Sequence, residues 1–301
     1  MSKLAELFPG FDSRTVETSA GRIFARIGGE GPPVLLLHGY PQTNVMWHRV
    51  APALAKKYKL VIPDLPGYGE SEAPEASPDH SPYHKRAMAA AMIELMQKLG
   101  HQRFALVGHD RGGRVGYRLT LDHPDRVTRL AVLDIVPTHE MWHGLDAKRA
   151  MKIFHWTFLA QPYPLPEMLI GKASSEYLDW KISGWNGKAD LSVFDPRALA
   201  HYRAFFSEAK RMHATCEDYR AGQTTDLAHD EADAAAGKKI ACPLLALWGA
   251  SGIPAGGMNP LEVWRRWGTK VEGQPIASGH FLAEENPEAT LAALIPFLAQ
   301  D

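Results

Sequence analysis

The stretch that most constrains the fold is Phe104-Ala105-Leu106-Val107-Gly108-His109-Asp110-Arg111-Gly112-Gly113. An apolar run leads into a turn bracketed by glycines, and sequence with helical character follows. Small residues two before and two after the tip permit a tight reversal from strand to helix that larger side chains would block. Such a turn raises its tip residue above the end of the strand. The tip here is Asp110. It has no hydroxyl to acylate, yet a carboxylate can attack carbon and carry an ester on its own side chain. A chance Gly-Asp-Gly loop is the bland alternative, and the rest of the chain has to decide between them.

Further apolar runs occur at Pro33–Leu37, Leu60–Pro63, Leu130–Leu133 and Cys242–Trp248. Runs of this kind suit strands buried on both faces, hence a mostly parallel sheet covered by helices. Phe11 to Ala25 reads as two edge strands around a turn at Gly21-Arg22. Helices are expected over Trp47–Tyr58, Tyr83–Leu99, the segment after Asp110, and Pro287–Leu298. The methionines Met88, Met92 and Met96 belong to an apolar helical stripe and are assigned to the core. From Pro137 to about Asp233 the chain turns helix-like and aromatic-rich, which suggests a helical cap inserted between two strands of the sheet. Its last part, Asp218 to Gly237, reads as one helix returning to the main body. The expected division is therefore residues 1–136, the first part of an α/β core, then 137–235, the cap, then 236–301, the rest of the core.

Composition narrows the partners. Lys and Arg number 33 against 34 Asp and Glu, so there is no basic field to draw nucleic acid. Cys216 and Cys242 make neither a disulfide framework nor a Cys-x-x-Cys metal pair, and no His/Cys/Asp grouping has metal spacing. Met1 to Glu6 lack the apolar centre of a signal peptide, and no apolar run could span a bilayer. A cytoplasmic protein without a membrane partner is expected.

The candidate chemistry gathers at strand ends. The loop His38-Gly39-Tyr40 follows the first apolar run and could present backbone N–H groups to an oxyanion, the His38 ring being assigned to hold the loop from below. Asp64 is read as a loop-organising carboxylate. Arg111, Arg114 and Arg118 recur along one helical face beginning at the tip. A cation beside a nucleophilic carboxylate costs desolvation unless it meets an anion, and a guanidinium matches a carboxylate bidentately. Arg111 and Arg114 are therefore candidates for gripping an acidic substrate, while Arg118 is assigned to a solvated face answering Asp122 and Asp125. Asp134 ends the strand after the nucleophile's strand. Gly252 stands where many proteins of this architecture carry the acid of a triad, which leaves Asp134 to orient a base unless it merely caps a turn. His280, late in Ser278-Gly279-His280-Phe281, completes the order nucleophile, acid, histidine. The adjacent N–H-bearing rings His155 and Trp156, with a hydroxyl such as that of Tyr219, could hold an anion in a dry pocket or could simply pack.

Taken together, the elbow Gly108-His109-Asp110-Arg111-Gly112-Gly113, the pair Arg111 and Arg114, His155-Trp156 and Ser278-Gly279-His280-Phe281 resemble the fluoroacetate (haloacetate) dehalogenases of the α/β-hydrolase fold, over essentially the whole chain. The resemblance implies hydrolysis of a small halogenated carboxylic acid through an aspartyl ester, with Asp110, Asp134 and His280 catalytic. It implies that Arg111 and Arg114 bind the substrate carboxylate, that His155, Trp156 and Tyr219 receive the halide, and that the enzyme is a homodimer without a cofactor. The Arg111 and Tyr40 N–H groups would form the oxyanion hole. Haloalkane dehalogenases and epoxide hydrolases also place aspartate at the tip but commonly follow it with tryptophan, so Arg111 departs from them. An epoxide hydrolase is the nearest rival reading, and a silent binding protein on the same scaffold is the rival from another class.

Overall fold

The structure is a computed structural model describing residues 6–252, 254 and 258–300, so the expectation for the first five residues lies outside it. The strands are β1 (Phe11–Thr18), β2 (Gly21–Gly28), β3 (Pro33–Leu37), β4 (Lys59–Pro63), β5 (Phe104–His109), β6 (Val127–Leu133), β7 (Leu244–Gly249) and β8 (Val271–Ile276). They form one sheet in the order β1-β2-β4-β3-β5-β6-β7-β8, antiparallel through β1, β2 and β4 and parallel from β4 onward. The mostly parallel, helix-covered sheet is the one anticipated from the apolar runs, and its order is that of the α/β-hydrolase fold implied by the resemblance. Every residue of β5 is buried, and so are all of β3 and β4 but their first residues, because helices cover both faces. β1 and β8 are the edges. They carry Asp, Arg, Glu, Gln and Pro275 among their residues, which suits strands whose outer side meets water.

Between β6 and β7 the described residues form eight helices and no strand. Many of the aromatic side chains of this segment are buried, among them Trp156, Trp185, Phe194, Tyr202, Phe206 and Tyr219. No helix among the described residues is long and apolar enough to cross a membrane.

Three local expectations are corrected. The β1–β2 turn is made by Ser19-Ala20, since Thr18 pairs with Gly21 and Gly21, at φ +87°, already opens β2. The helix expected from Trp47 shrinks to a 3-10 turn, Asn44–Trp47, and a short helix, Ala51–Leu54. Pro52 lacks an N–H donor and fits only a first turn, so the two pieces cannot fuse. The returning segment is two helices, Ala209–Gln223 and Thr225–Ala235. At the break, the Thr224 hydroxyl donates to the Arg220 carbonyl, a local bond that competes with continued helix.

Candidate active site

Sheet register assembles the site. Leu37 lies beside Gly108 and His109 beside Leu133, so the loops after β3, β5 and β6 open at one edge. β4 and β5 flank β3 on opposite sides, and chain reversals of this type leave a crevice beyond the carboxyl ends of the strands. β7 lies next to β6, and the Asp134 N–H donates to the Leu247 carbonyl at 2.8 Å. The loop after β8 then brings His280 over the same edge.

The turn at Asp110 is tight enough to need its glycines. Asp110 has φ +46°. A Cβ on Gly108 would come within 2.6 Å of the Gly112 carbonyl, and one on Gly112 within 2.3 Å of the His38 carbonyl. Gly39 is equally constrained, because a Cβ there would lie 2.4 Å from the Asp110 Cβ and 2.8 Å from the Arg111 nitrogen. That close approach lets the Tyr40 N–H donate to Asp110 Oδ1 at 2.8 Å. The His38 ring accepts the Leu65 N–H at Nε2, 2.9 Å, and Asp64 accepts from the Asn44 and Glu70 N–H groups, so both residues organise loops.

His280 is fully buried and sits between two carboxylates. Its Nδ1 is 2.6 Å from Asp134 Oδ2, and its Nε2, without a hydrogen-bond partner, is 3.9 Å from Asp110 Oδ2. A carboxylate only accepts, so Nδ1 carries a proton, and it is the neutral form of the ring that presents an Nε2 lone pair toward Asp110. Asp134 Oδ1 in turn accepts the Gly249 N–H at 2.9 Å. Burial pulls the His280 pKa down, but the bond and charge of Asp134, with Asp110 behind it, outweigh burial and hold it above the ordinary value. Burial raises the Asp110 carboxyl, yet His280, His109, Arg111 and Arg114 together bring it below its usual range, so it is ionised. Asp134, like Asp110, has a left-handed backbone, φ +54°. Aspartate is among the few residues other than glycine that visit this region routinely.

Arg111 and Arg114 are buried in the helix Asp110–Asp122. Arg111 is committed on one side: its Nε and Nη2 donate to the Asp218 carboxylate at 2.9 and 2.6 Å. Arg114 donates through Nη1 to the Val136 carbonyl and the Thr138 hydroxyl, and its buried Nε has no partner. The Trp156 ring lies 4.5 Å from the Arg114 guanidinium and 5.7 Å from that of Arg111. His155 stacks on Tyr40 at 5.9 Å, and Tyr219 meets Tyr40, His155 and Trp156 edge-on at 5.4, 5.6 and 6.0 Å. His155 Nδ1 and the Tyr219 hydroxyl are buried without partners. Burial, reinforced by Lys181 and other cations, drives the His155 pKa far down, while burial and Asp110 drive that of Tyr219 far up. Both rings are therefore neutral, and the tyrosine is a donor. Such orphaned groups cost about 1–3 kcal/mol each unless something that enters the site satisfies them.

The structure thus brings Tyr40, Asp110, Arg111, Arg114, Asp134, His155, Trp156, Tyr219 and His280 into one buried cluster. Arg118 is corrected: it is buried rather than solvated, and it pairs with Asp230, Asp233 and Asp122 at 2.8, 2.5 and 3.2 Å. Asp125 pairs with Arg126 instead. Two residues escaped the reading of the sequence. His109 stands inside the elbow, its Nε2 bonded to the His280 carbonyl at 2.8 Å and its ring 4.5 Å from that of His280. Asp218, next to Tyr219, looked like part of a polar returning helix but is fully buried. Its only signal in the sequence was adjacency to a site tyrosine. At Gly252 a Cβ would lie 2.2 Å from Asp134 Oδ1, so the Asp134 carboxylate fills the space a side chain there would need.

Arranged this way, an ionised carboxylate and a buried imidazole could form and then hydrolyse an ester, with two guanidiniums and neutral donors in the same cluster. Residues 32–287 match the model of the alpha/beta hydrolase fold. The chain is 42% identical to a fluoroacetate dehalogenase of Burkholderia sp., over 97% of this chain and 95% of that one. It is 32% identical to a soluble epoxide hydrolase of Corynebacterium sp., over 90% and 91%. A crystal structure from Nostoc sp. PCC 7120, described as of the alpha/beta hydrolase class, superposes with a TM-score of 0.94 at 49% identity, covering 97% of this chain and 99% of that one.

Proposed function

Given that the chain belongs to the haloacetate dehalogenases of the α/β-hydrolase family, we propose that it converts haloacetates, fluoroacetate included, to glycolate and halide through an ester on Asp110. The observation that carries this reading is the pair of guanidiniums buried in the first turn after an ionised Asp110, one of them, Arg114, without an ion-pair partner among the described residues, a placement suited to an acid substrate.

Arg111 and Arg114 hold the substrate carboxylate so that the α-carbon faces Asp110 Oδ2, while Oδ1 stays bonded to the Tyr40 N–H. Asp110 attacks as the carbon–halogen bond breaks. The halide leaves toward His155, Trp156 and Tyr219, whose N–H and O–H groups replace water as charge develops. The gap of 3.9 Å between His280 Nε2 and Asp110 Oδ2 suits a base that acts through a water. His280, oriented by Asp134, deprotonates that water, which adds to the ester carbonyl. The N–H groups of Tyr40 and Arg111 receive the oxyanion, glycolate departs and Asp110 is restored. Esterification removes the Asp110 charge, one of the influences that raise the His280 pKa, so forming the intermediate itself shifts the imidazole toward its basic form.

The segment 137–235 acts as a cap that supplies the halide donors, between core segments 1–136 and 236–301. The enzyme works in the cytoplasm as a homodimer, and the exposed Tyr163, Leu165, Met168 and Leu169 offer a second copy an apolar face. The deciding experiment is denaturing mass spectrometry of His280→Asn after incubation with fluoroacetate. A glycolyl adduct on Asp110 is expected, and turnover with Asp110 unmodified would end the scheme. Likeness to the Corynebacterium enzyme supports one other reading, attack of Asp110 on an epoxide. Diol formation without halide release would select it.

A further inference from the structure

The two arginines beside Asp110 are not equivalent. Asp218, on the helix Ala209–Gln223, is fully buried and its carboxylate is saturated. Oδ1 accepts from Arg111 Nη2 at 2.6 Å and from Lys85 Nζ, while Oδ2 accepts from Arg111 Nε at 2.9 Å and from the Tyr68 hydroxyl at 2.8 Å. The Asp218 carbonyl takes a further bond from Arg111 Nη2 at 2.8 Å. Lys85 also pairs with the buried Asp226 at 3.2 Å. Two cations, Arg111 and Lys85, therefore face two carboxylates, Asp218 and Asp226, and the group is neutral before any substrate arrives. The fork of Arg111 is fixed, with Nη1 the end that makes none of these bonds.

Arg114 has no such counterion. Among the described residues no carboxylate forms an ion pair with it, and its only hydrogen bonds run through Nη1 to a carbonyl and a hydroxyl. Its Nε is buried and unpartnered. The Asp110 charge acts on Arg114 only through space, so this buried cation, hydrogen-bonded to neutral groups alone, still gains from an entering anion.

We propose that Asp218 is a positioning residue that locks Arg111 as a charge-compensated, directional donor, leaving Arg114 as the cation that neutralises the substrate carboxylate. The inference rests on the haloacetate reading. It also ties the helical segment to the chemistry, because one helix carries both the anchor of the carboxylate grip and, at the next residue, the hydroxyl of Tyr219.

The test is a double-mutant cycle with Asp218→Asn and Arg111→Gln, read as kcat and KM for fluoroacetate, with folding checked by circular dichroism and melting. Wild type and Arg111→Gln come first. If wild type releases no halide, the haloacetate reading itself fails. With that reading intact, Asp218→Asn should lower kcat about tenfold or more, since misplacing bound reactants slows chemistry steeply. KM should change by less than about threefold, because the freed Arg111 still attracts the carboxylate. The double variant should match Arg111→Gln alone within about twofold, as expected when one residue acts only through the other. A kcat within twofold of wild type, a loss confined to KM, or additive losses would each overturn the proposal. If Asp218→Asn does not fold, Tyr68→Phe removes one of the bonds that fix the same carboxylate. It should lower kcat a few-fold in wild type and leave Arg111→Gln unchanged; an unchanged kcat in wild type, or a further loss in Arg111→Gln, refutes the idea.

Discussion

Replacing Tyr219 with phenylalanine should raise stability and lower activity through the same atom. The hydroxyl is buried, protonated and without a partner. Leaving such a group unsatisfied costs about 1–3 kcal/mol, so in the absence of halide the variant should gain on the order of 1 kcal/mol. For a chain of this size that is a rise in Tm of roughly 2 °C. The phenylalanine ring keeps the edge contacts with Tyr40, His155 and Trp156, and it still lies beneath the Arg111 guanidinium, 4.3 Å away in the tyrosine form, so little packing is lost. Catalysis should move the other way. Removing one preorganised donor from a developing anion typically costs about 10²–10³ in kcat, and that full loss is expected with fluoroacetate. Bromide departs with less help, so the loss with bromoacetate should stay below about tenfold. The assay is steady-state halide release with both substrates, beside thermal melts in halide-free buffer. A destabilised variant whose fluoroacetate-to-bromoacetate ratio is unchanged would show that the hydroxyl is structural, and the reasoning would fail.

Gly39→Ala puts a methyl 2.4 Å from the Asp110 Cβ and should push the Tyr40 N–H off Asp110 Oδ1. Activity is expected to fall at least about 10²-fold, the loss of one oxyanion donor, with circular dichroism unchanged; near-normal turnover would show that this close approach is unnecessary. Glu284, buried against Tyr202, Gln42 and the neighbourhood of Arg49, has its pKa raised by burial to about 8. A folded pKa above the unfolded one means a contribution fully present below about pH 4.3 and lost as pH rises through the folded value. Glu284→Gln should therefore flatten the stability profile between these limits and gain a few kcal/mol at pH 8. The rotated Gln42 amide can accommodate it, since Gln42 Oε1 has no partner. Chemical denaturation across pH checks this, and an unaltered slope would refute it.

How much of this could be read from the chain depended on whether a residue's role was local. The elbow announced itself because a strained turn needs small neighbours at fixed offsets, and apolar runs marked the strands because burial on both faces forbids alternation. Asp134 and His280 followed from the order of strand ends. Arg118 was misjudged because its partners Asp230 and Asp233 lie more than 100 positions away, where helical spacing carries no information. Asp218 was missed for the same reason: a charged residue on a polar helix looks solvated until Arg111 and Lys85 are seen to enclose it. The helix breaks at Pro52 and Thr224 were local but weak signals, since proline fits a first helical turn and a threonine hydroxyl bonded to the preceding turn leaves no mark in the sequence.

Asp134 and Gly252 have a consequence for how such a site could be rewired. They lie after neighbouring strands and compete for one volume: a side chain at 252 would overlap the carboxylate bonded to His280. The acid's address is thus a matter of exclusive occupancy rather than of chemistry. Adding aspartate at 252 alone would crowd the seat, and trimming 134 to glycine alone would leave it empty, with His280 unanchored. Only a paired exchange keeps a single occupant, so the two addresses are separated by a valley that neither substitution crosses alone.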